Sequence, residues 1–207
     1  MNMKINIGLI LIILASSVIG FAGIKLTRSD YESPEYTSKK HPSGFEIRKY
    51  DEMTIVSTKK SKSKKDDEKD SHFMRLFRYI DKSNEKGEKI TMTTPVFMGM
   101  KGNEREMSFV LPRKIAKQGA PLPSSNSLHI AKIKPGTFAA IRFKGRSKKE
   151  NIVAKKLQAK ISKAGLSVDK TSKPIFAYYD RPWIPVFLRR NEVLIKINDS
   201  DLKTDSN

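Results

Sequence analysis

The sequence predicts an α+β domain in which one ββαββ unit is used twice, forming a twisted, mostly antiparallel barrel flanked by two helices. Two stretches carry apolar residues at helical spacing: Phe73, Leu76, Phe77 and Ile80 in one, Val153, Leu157, Ile161 and Ala164 in the other. About eight short segments rich in β-branched and aromatic residues surround them. Their order is the same in both halves, offset by roughly 85 residues, which is the mark of an internal duplication. A chain of 207 residues with 38% hydrophobic content carries one such core and an appendage, not two full domains.

The appendage comes first. Residues 5 to 24 form a run without charge whose only polar members are Asn6, Ser16 and Ser17. Twenty residues of helix reach about 30 Å, the thickness of a bilayer's hydrocarbon core. Residues 1–26 therefore read as a single membrane anchor with the domain exported, or alternatively as the signal of a secreted protein. Residues 27–40 have no apolar period and read as a tether, with Tyr31 and Tyr36 available to pack on the domain. The domain proper spans 41–198, and residues 199–207 form a polar tail.

Within the domain, Phe45 to Tyr50 and Met53 to Thr58 read as two strands around an acidic turn, an extended or a hairpin unit. The charge run Lys59 to Asp70 reads as a solvated loop. Ser71 is placed to cap the first helix, whose apolar face is Phe73, Leu76, Phe77 and Ile80, with Arg75 and Arg78 pointing elsewhere. Lys89 to Val96 alternates Ile90 and Met92 against Thr91 and Thr93, a strand closed by Pro95. Arg105 to Leu111 is the next strand, and Arg113 to Ser127 a linker with Gly119, Pro121 and Pro123. The second pass has Leu128 to Ile133, Thr137 to Phe143, the helix of Val153, a stop at Gly165, and strands at Pro174 to Tyr179 and Glu192 to Ile197.

Charge and composition narrow the chemistry. The net charge of +19, from 41 Lys and Arg against 22 Asp and Glu, favours polyanions, anionic lipid or carboxylate-bearing ligands. There is no cysteine, which excludes disulfides, thiolate metal sites and cysteine nucleophiles. No Gly-x-Ser-x-Gly, phosphate-cradling glycine loop or histidine-rich spacing occurs, so an enzyme is not expected. Nucleic acid is not the expected partner either, because the basic residues are dispersed and the aromatics follow strand and helix patterns. An anchored basic module touching anionic lipid, protein or nucleic acid is the alternative reading.

Four motifs in order resemble the SOUL haem-binding family. Lys89-Ile90-Thr91-Met92-Thr93-Thr94-Pro95-Val96 is similar to its Lys-Ile-x-Met-Thr-x-Pro-Val signature, and Phe45 to Tyr50 to its opening strand. Phe176 to Trp183 resembles its aromatic-proline segment, and Arg189-Arg190-Asn191-Glu192-Val193 its closing motif. The resemblance implies a protein that holds haem or another tetrapyrrole non-covalently and performs no obvious chemistry.

Haem needs an apolar slot, cations for its propionates and, in some proteins, an axial ligand. A groove between helix and sheet is the expected slot, with Phe73, Phe77 and Met92 as apolar candidates. The rim candidates are Arg48, Lys49, Arg75, Arg78 and Lys89, since Lys and Arg both recognise carboxylates. His72, opening the first helix, is the candidate iron ligand. Some family members carry a histidine where this sequence has Lys49, so apolar contacts and rim charges are the expected mode of binding. The Arg189 to Glu192 motif reads as structural, its charges and amide pairing with each other or with the turn backbone.

Overall fold

The computed structural model describes residues 31–58, 71–101, 104–145, 149–181 and 183–206. The apolar run 5–24 and the charge run 59–70 lie outside the described residues. Among the described residues no helix is long and apolar enough to cross a membrane.

Nine strands form one antiparallel sheet: β1 (Tyr36–His41), β2 (Phe45–Tyr50), β3 (Met53–Thr58), β4 (Val96–Lys101), β5 (Glu104–Val110), β6 (Leu128–Ile133), β7 (Gly136–Phe143), β8 (Ile175–Tyr178) and β9 (Asn191–Ile197). The helices are α1 (His72–Ile80), α2 (Arg113–Gln118) and α3 (Glu150–Lys163). The spatial order is β1-β2-β7-β9-β8-β4-β5-β3-β6, with β1 and β6 as open edges. The ββαββ unit is present twice, as β2-β3-α1-β4-β5 and β6-β7-α3-β8-β9.

The two units are interlaced, so of the extended and hairpin alternatives for the first opening pair the extended one holds. β2 does not pair with β3; it pairs with β7 of the second unit, while β6 pairs with β3 of the first. Tyr50 stands opposite Gly136, and Met53 opposite Ile133, so each unit lends its first strand to the other. β4 and β8 meet at the centre, Phe97 opposite Ala177. β2 and β3 are six places apart in the sheet, about 29 Å if it were flat at ordinary strand spacing. The short link from Tyr50 to Met53 spans only about 10 Å. The sheet must therefore coil, and the right-handed twist of strands supplies the coiling.

Coiling creates an inside and an outside. Tyr50, Met53, Ile55, Phe97, Val110, Phe138, Ala140, Ala177 and Leu194 fill the inside. Outside, α1 packs on β3 and β5 through Leu76, Tyr79, Ile80, Ile90 and Phe109. On the other unit, Ala154, Leu157 and Ile161 of α3 pack on β7 and β9 through Ala139, Val193 and Ile195. Gly165, at φ 74°, ends α3 where the sequence placed a stop.

Three local expectations change. The tether's last residues, Tyr36 to Lys40, belong to β1, which pairs along the whole of β2. The linker after Pro112 contains α2, a single short helix. Lys89 to Thr94 is an extended segment and not a ladder strand, with isolated bridges from Lys89 to Asp81 and from Thr93 to Glu32. Its alternation is real but serves anchoring. The Ile90 amide donates to Ile80 O at 2.8 Å, and Thr93 Oγ1 donates to Val110 O at 2.6 Å. The Thr94 amide donates to Glu32 O at 2.9 Å; Thr94–Pro95 is cis, and β4 begins at the next residue.

Candidate functional site

α1 begins as the sequence predicts, with Ser71 Oγ accepting from the Met74 amide at 3.3 Å. Its buried stripe is different. Arg75, Leu76, Tyr79 and Ile80 face the sheet, and the Tyr79 hydroxyl donates to Pro121 O at 2.9 Å. Phe73, Met74 and Phe77 are left 40%, 41% and 40% exposed. The helix carries more apolar surface than its interface with the sheet can take, so both phenylalanines expected in the core stand outside it. Phe73 and Phe77 stack at 6.2 Å with 15° between planes, and Phe73 meets Phe109 edge-on at 5.4 Å. Met92 and Met107, both half-buried, pack against the same cluster.

This packing removes the groove expected between helix and sheet. Leu76 and Tyr79 have no exposed surface, and Ile90, Phe109 and Leu111 fill the space around them. What remains is an open aromatic face on the outside of α1. His72 stands at its start, with Nδ1 3.0 Å from Thr58 Oγ1. Thr58 Oγ1 also accepts from the Met107 amide at 3.1 Å, which fixes the hydroxyl against the imidazole. Nε2 is the ring nitrogen that this arrangement leaves for another partner.

The expected rim separates into three places. Arg78, in the last turn of α1, and Lys89 are exposed and belong to the α1 side; Lys89 lies 3.8 Å from Asp81. Lys49 is exposed on β2, sharing its face with Phe45 and Ile47, which pack towards α3. It is therefore on the other unit. Arg75 is not a rim cation, because the rotation of α1 buries it. Arg48 is not one either: it is 1% exposed, on the inner face of the sheet.

Arg48 instead anchors a buried ionic cluster. Its Nη1 donates to Glu192 Oε2 at 2.6 Å and its Nε to Glu46 Oε2 at 2.8 Å, and the guanidinium lies 4.5 Å from the Tyr36 ring centroid. Glu192, with no exposed surface, also receives the Tyr179 hydroxyl on Oε2 at 2.9 Å, and Arg190 and Arg142 on Oε1 at 3.0 and 3.4 Å. Burial alone would raise its carboxyl. The Arg48 hydrogen bond and charge, the Arg190 charge and the Tyr179 hydroxyl outweigh it and bring the carboxyl down to about 2. Within the closing motif Arg190 pairs with Glu192, while Arg189 Nε donates to the backbone at Ile184 O at 2.8 Å and Asn191 Nδ2 to Gly145 O at 2.9 Å. Sequence reasoning missed that Arg48, 144 positions away, completes it.

Two cavities lie away from α1, on either side of the segment that leads into β1. One of about 500 Å³ is bounded by Glu32, Asp51, Met53, Val110, Arg113 and Lys132. The other, about 150 Å³, is bounded by Tyr36, Tyr50, Pro95, Phe97, Tyr179 and Arg190. Ser33 and Pro34 line both. No sequence signal pointed to either, since their walls come from five separate stretches of chain.

Comparison with known proteins follows the same outline. The family model described as SOUL heme-binding protein matches residues 31–196. Pig heme-binding protein 1 is 26% identical over 126 residues, 58% of this chain and 66% of that relative, so the chain spans just under two-thirds of its length. Among solved structures, the EcmrR C-terminal domain superposes with TM-score 0.51 at 13% identity, covering 79% of this chain and 98% of that one. An uncharacterized conserved protein from Listeria innocua gives TM-score 0.52 at 11% identity, covering 80% and 94%. At such identities these two share the fold alone. With the duplicated unit, the four ordered motifs and a family match across the whole described domain, the chain belongs to the SOUL haem-binding family.

Proposed function

We propose that the domain binds haem or a related tetrapyrrole non-covalently on the outer face of α1. The observation that carries this reading is the stacked, 40%-exposed pair Phe73 and Phe77 in a chain of this family. Large apolar side chains displayed together on a surface mark an interaction site. The face suits the group: parallel rings and adaptable methionines, Met74 and Met92, offer a broad apolar bed for a flat macrocycle. Arg78 and Lys89 are the cations within reach of its carboxylates, and Lys89 is only loosely held by Asp81. Among the described residues no three His, Cys, Asp or Glu come together to hold a metal ion. His72 would therefore act as a single ligand, through Nε2, to an iron already held by its macrocycle. The bound group supplies the iron and the chromophore; the chain covers one face, meets the carboxylates and excludes water.

Haemin titration tests this. The chain is expected to give a saturable, shifted Soret band, and a curve matching that of an unrelated protein of equal positive charge rejects the proposal. We further propose that residues 5–24 hold the domain at a membrane, with the domain exported. Protease treatment of intact cells and of cells with the outer envelope opened checks the side: loss of the domain in either supports export, and protection in both sinks it.

A further inference from the structure

A separate site lies inside the coiled sheet, on the face opposite α1. Its cavity of about 150 Å³ has aromatic walls: Tyr36 packs on Tyr50 at 4.9 Å, and Phe97 and Tyr179 complete the sides. A void of about that size accommodates one benzene ring. Its polar wall is Arg190, whose guanidinium lies over the Tyr179 ring at 4.0 Å. Nε and Nη2 of Arg190 donate to Glu192 Oε1, and Nη1 makes no hydrogen bond among the described residues. Asp180 accepts from the Arg190 backbone amide, not from the guanidinium.

The charges favour an anion. Of the residues that line the cavity, Arg190 is the charged one. Both oxygens of Glu192 are already taken, so an entering cation would find no free carboxylate oxygen there and would face the Arg190 guanidinium. Tyr50 supplies a second donor. Its oxygen accepts Arg48 Nη1 at 3.4 Å, leaving the hydroxyl proton to give. Burial pushes that hydroxyl up to about 12, so it stays a donor at neutral pH.

We propose that this cavity binds a one-ring aromatic carboxylate, its ring between the tyrosines and Phe97 and its carboxylate on Arg190 and Tyr50. Entry is past Ser33 and Pro34, whose segment is held by Ser33 Oγ at 2.9 Å from Thr94 Oγ1. This proposal does not rest on haem binding, which uses the outer face.

Isothermal titration of the full chain with benzoate, benzyl alcohol and benzylamine decides it. The expected result is one saturable benzoate site, much weaker binding of benzyl alcohol and none of benzylamine. Arg190→Gln is expected to weaken benzoate roughly tenfold or more, with partial recovery in Arg190→Lys. Because Arg190 supports the buried cluster, Ser33→Trp serves as a second variant. It fills the cavity from an exposed position, and should abolish benzoate binding with haemin titration unchanged and thermal unfolding shifted only by the loss of the exposed Ser33–Thr94 hydrogen bond. Absent benzoate binding, equal affinity for benzyl alcohol, or benzoate binding unaffected by Ser33→Trp would each overturn the proposal.

Discussion

The two units share one topology and one way of burying a helix, yet their outer faces differ. α3 turns Ala154, Leu157 and Ile161 to the sheet and shows solvent mainly Lys155, Lys156, Gln158 and Lys163, with Ile152 its one exposed large apolar residue. α1 buries a stripe of similar width and still displays Phe73, Met74 and Phe77. Folding needs the same thing from both helices, so folding does not account for the surplus on α1. The inner faces differ in a parallel way. Glu106 of β5 and Glu192 of β9 each sit on the last strand of their unit. Among the described residues Glu106 pairs with His129 at 3.3 Å, both partly exposed, whereas Glu192 is sealed among three guanidiniums. Duplication supplied two equivalent frames; one specialised outside, the other inside.

The sharpest way to break this comparison is at the glutamates. Glu192→Ala strips Arg48 of its closest buried counter-charge and is expected to cost about 3–5 kcal/mol in urea unfolding. Glu106→Ala should cost less than about 1 kcal/mol. Equal losses would erase the claimed asymmetry.

Acid should report the same cluster. Glu192 is depressed from 4.5 to about 2, so its contribution is complete above the ordinary carboxylate range and disappears as pH falls towards 2. The wild-type chain is expected to lose a few kcal/mol of stability across that window by this group alone. Glu106→Gln should keep that acid limb, and Glu192→Gln should flatten it.

On the outer faces the expected effects are smaller. Replacing Phe73 and Phe77 together by serine should weaken haemin roughly ten- to a hundredfold with little change in melting temperature, because both side chains are already half in water. Ile152→Ser on α3 should leave the titration unchanged. His72→Ala is the mildest: the Soret position moves, and affinity falls less than with either phenylalanine. An affinity lost mainly with His72 would mean that ligation and not the apolar face holds the macrocycle.

Much of the architecture was legible because local rules carry it. Ser71, Gly165 and the apolar periods marked both helices, and the β-branched and aromatic content of β2 and β3 and the alternation in β9 marked strands. Where two interpretations share a period, the sequence could not choose between them. Phe73, Leu76, Phe77 and Ile80 form one helical face as readily as Leu76, Tyr79 and Ile80 do, and only the sheet's shape decides which turns inward. Lys89 to Thr94 alternates like a strand, yet it joins no ladder of the sheet, and its amides go to Ile80 and Glu32. Arg48 looked like surface charge because its partners are 144 positions distant.

The sequence by itself determined the parts: two copies of a ββαββ unit, an excess of positive charge, the absence of cysteine chemistry and the motifs that mark the family. Those are properties of short windows, set by propensity, periodicity and composition. Only the tertiary structure decided that the units exchange their first strands, that α1 rolls Phe73 and Phe77 outward, and that Arg48 goes inside to Glu192. Each of these depends on which surfaces meet when a twisted sheet coils, and that competition for burial is settled by distant residues together.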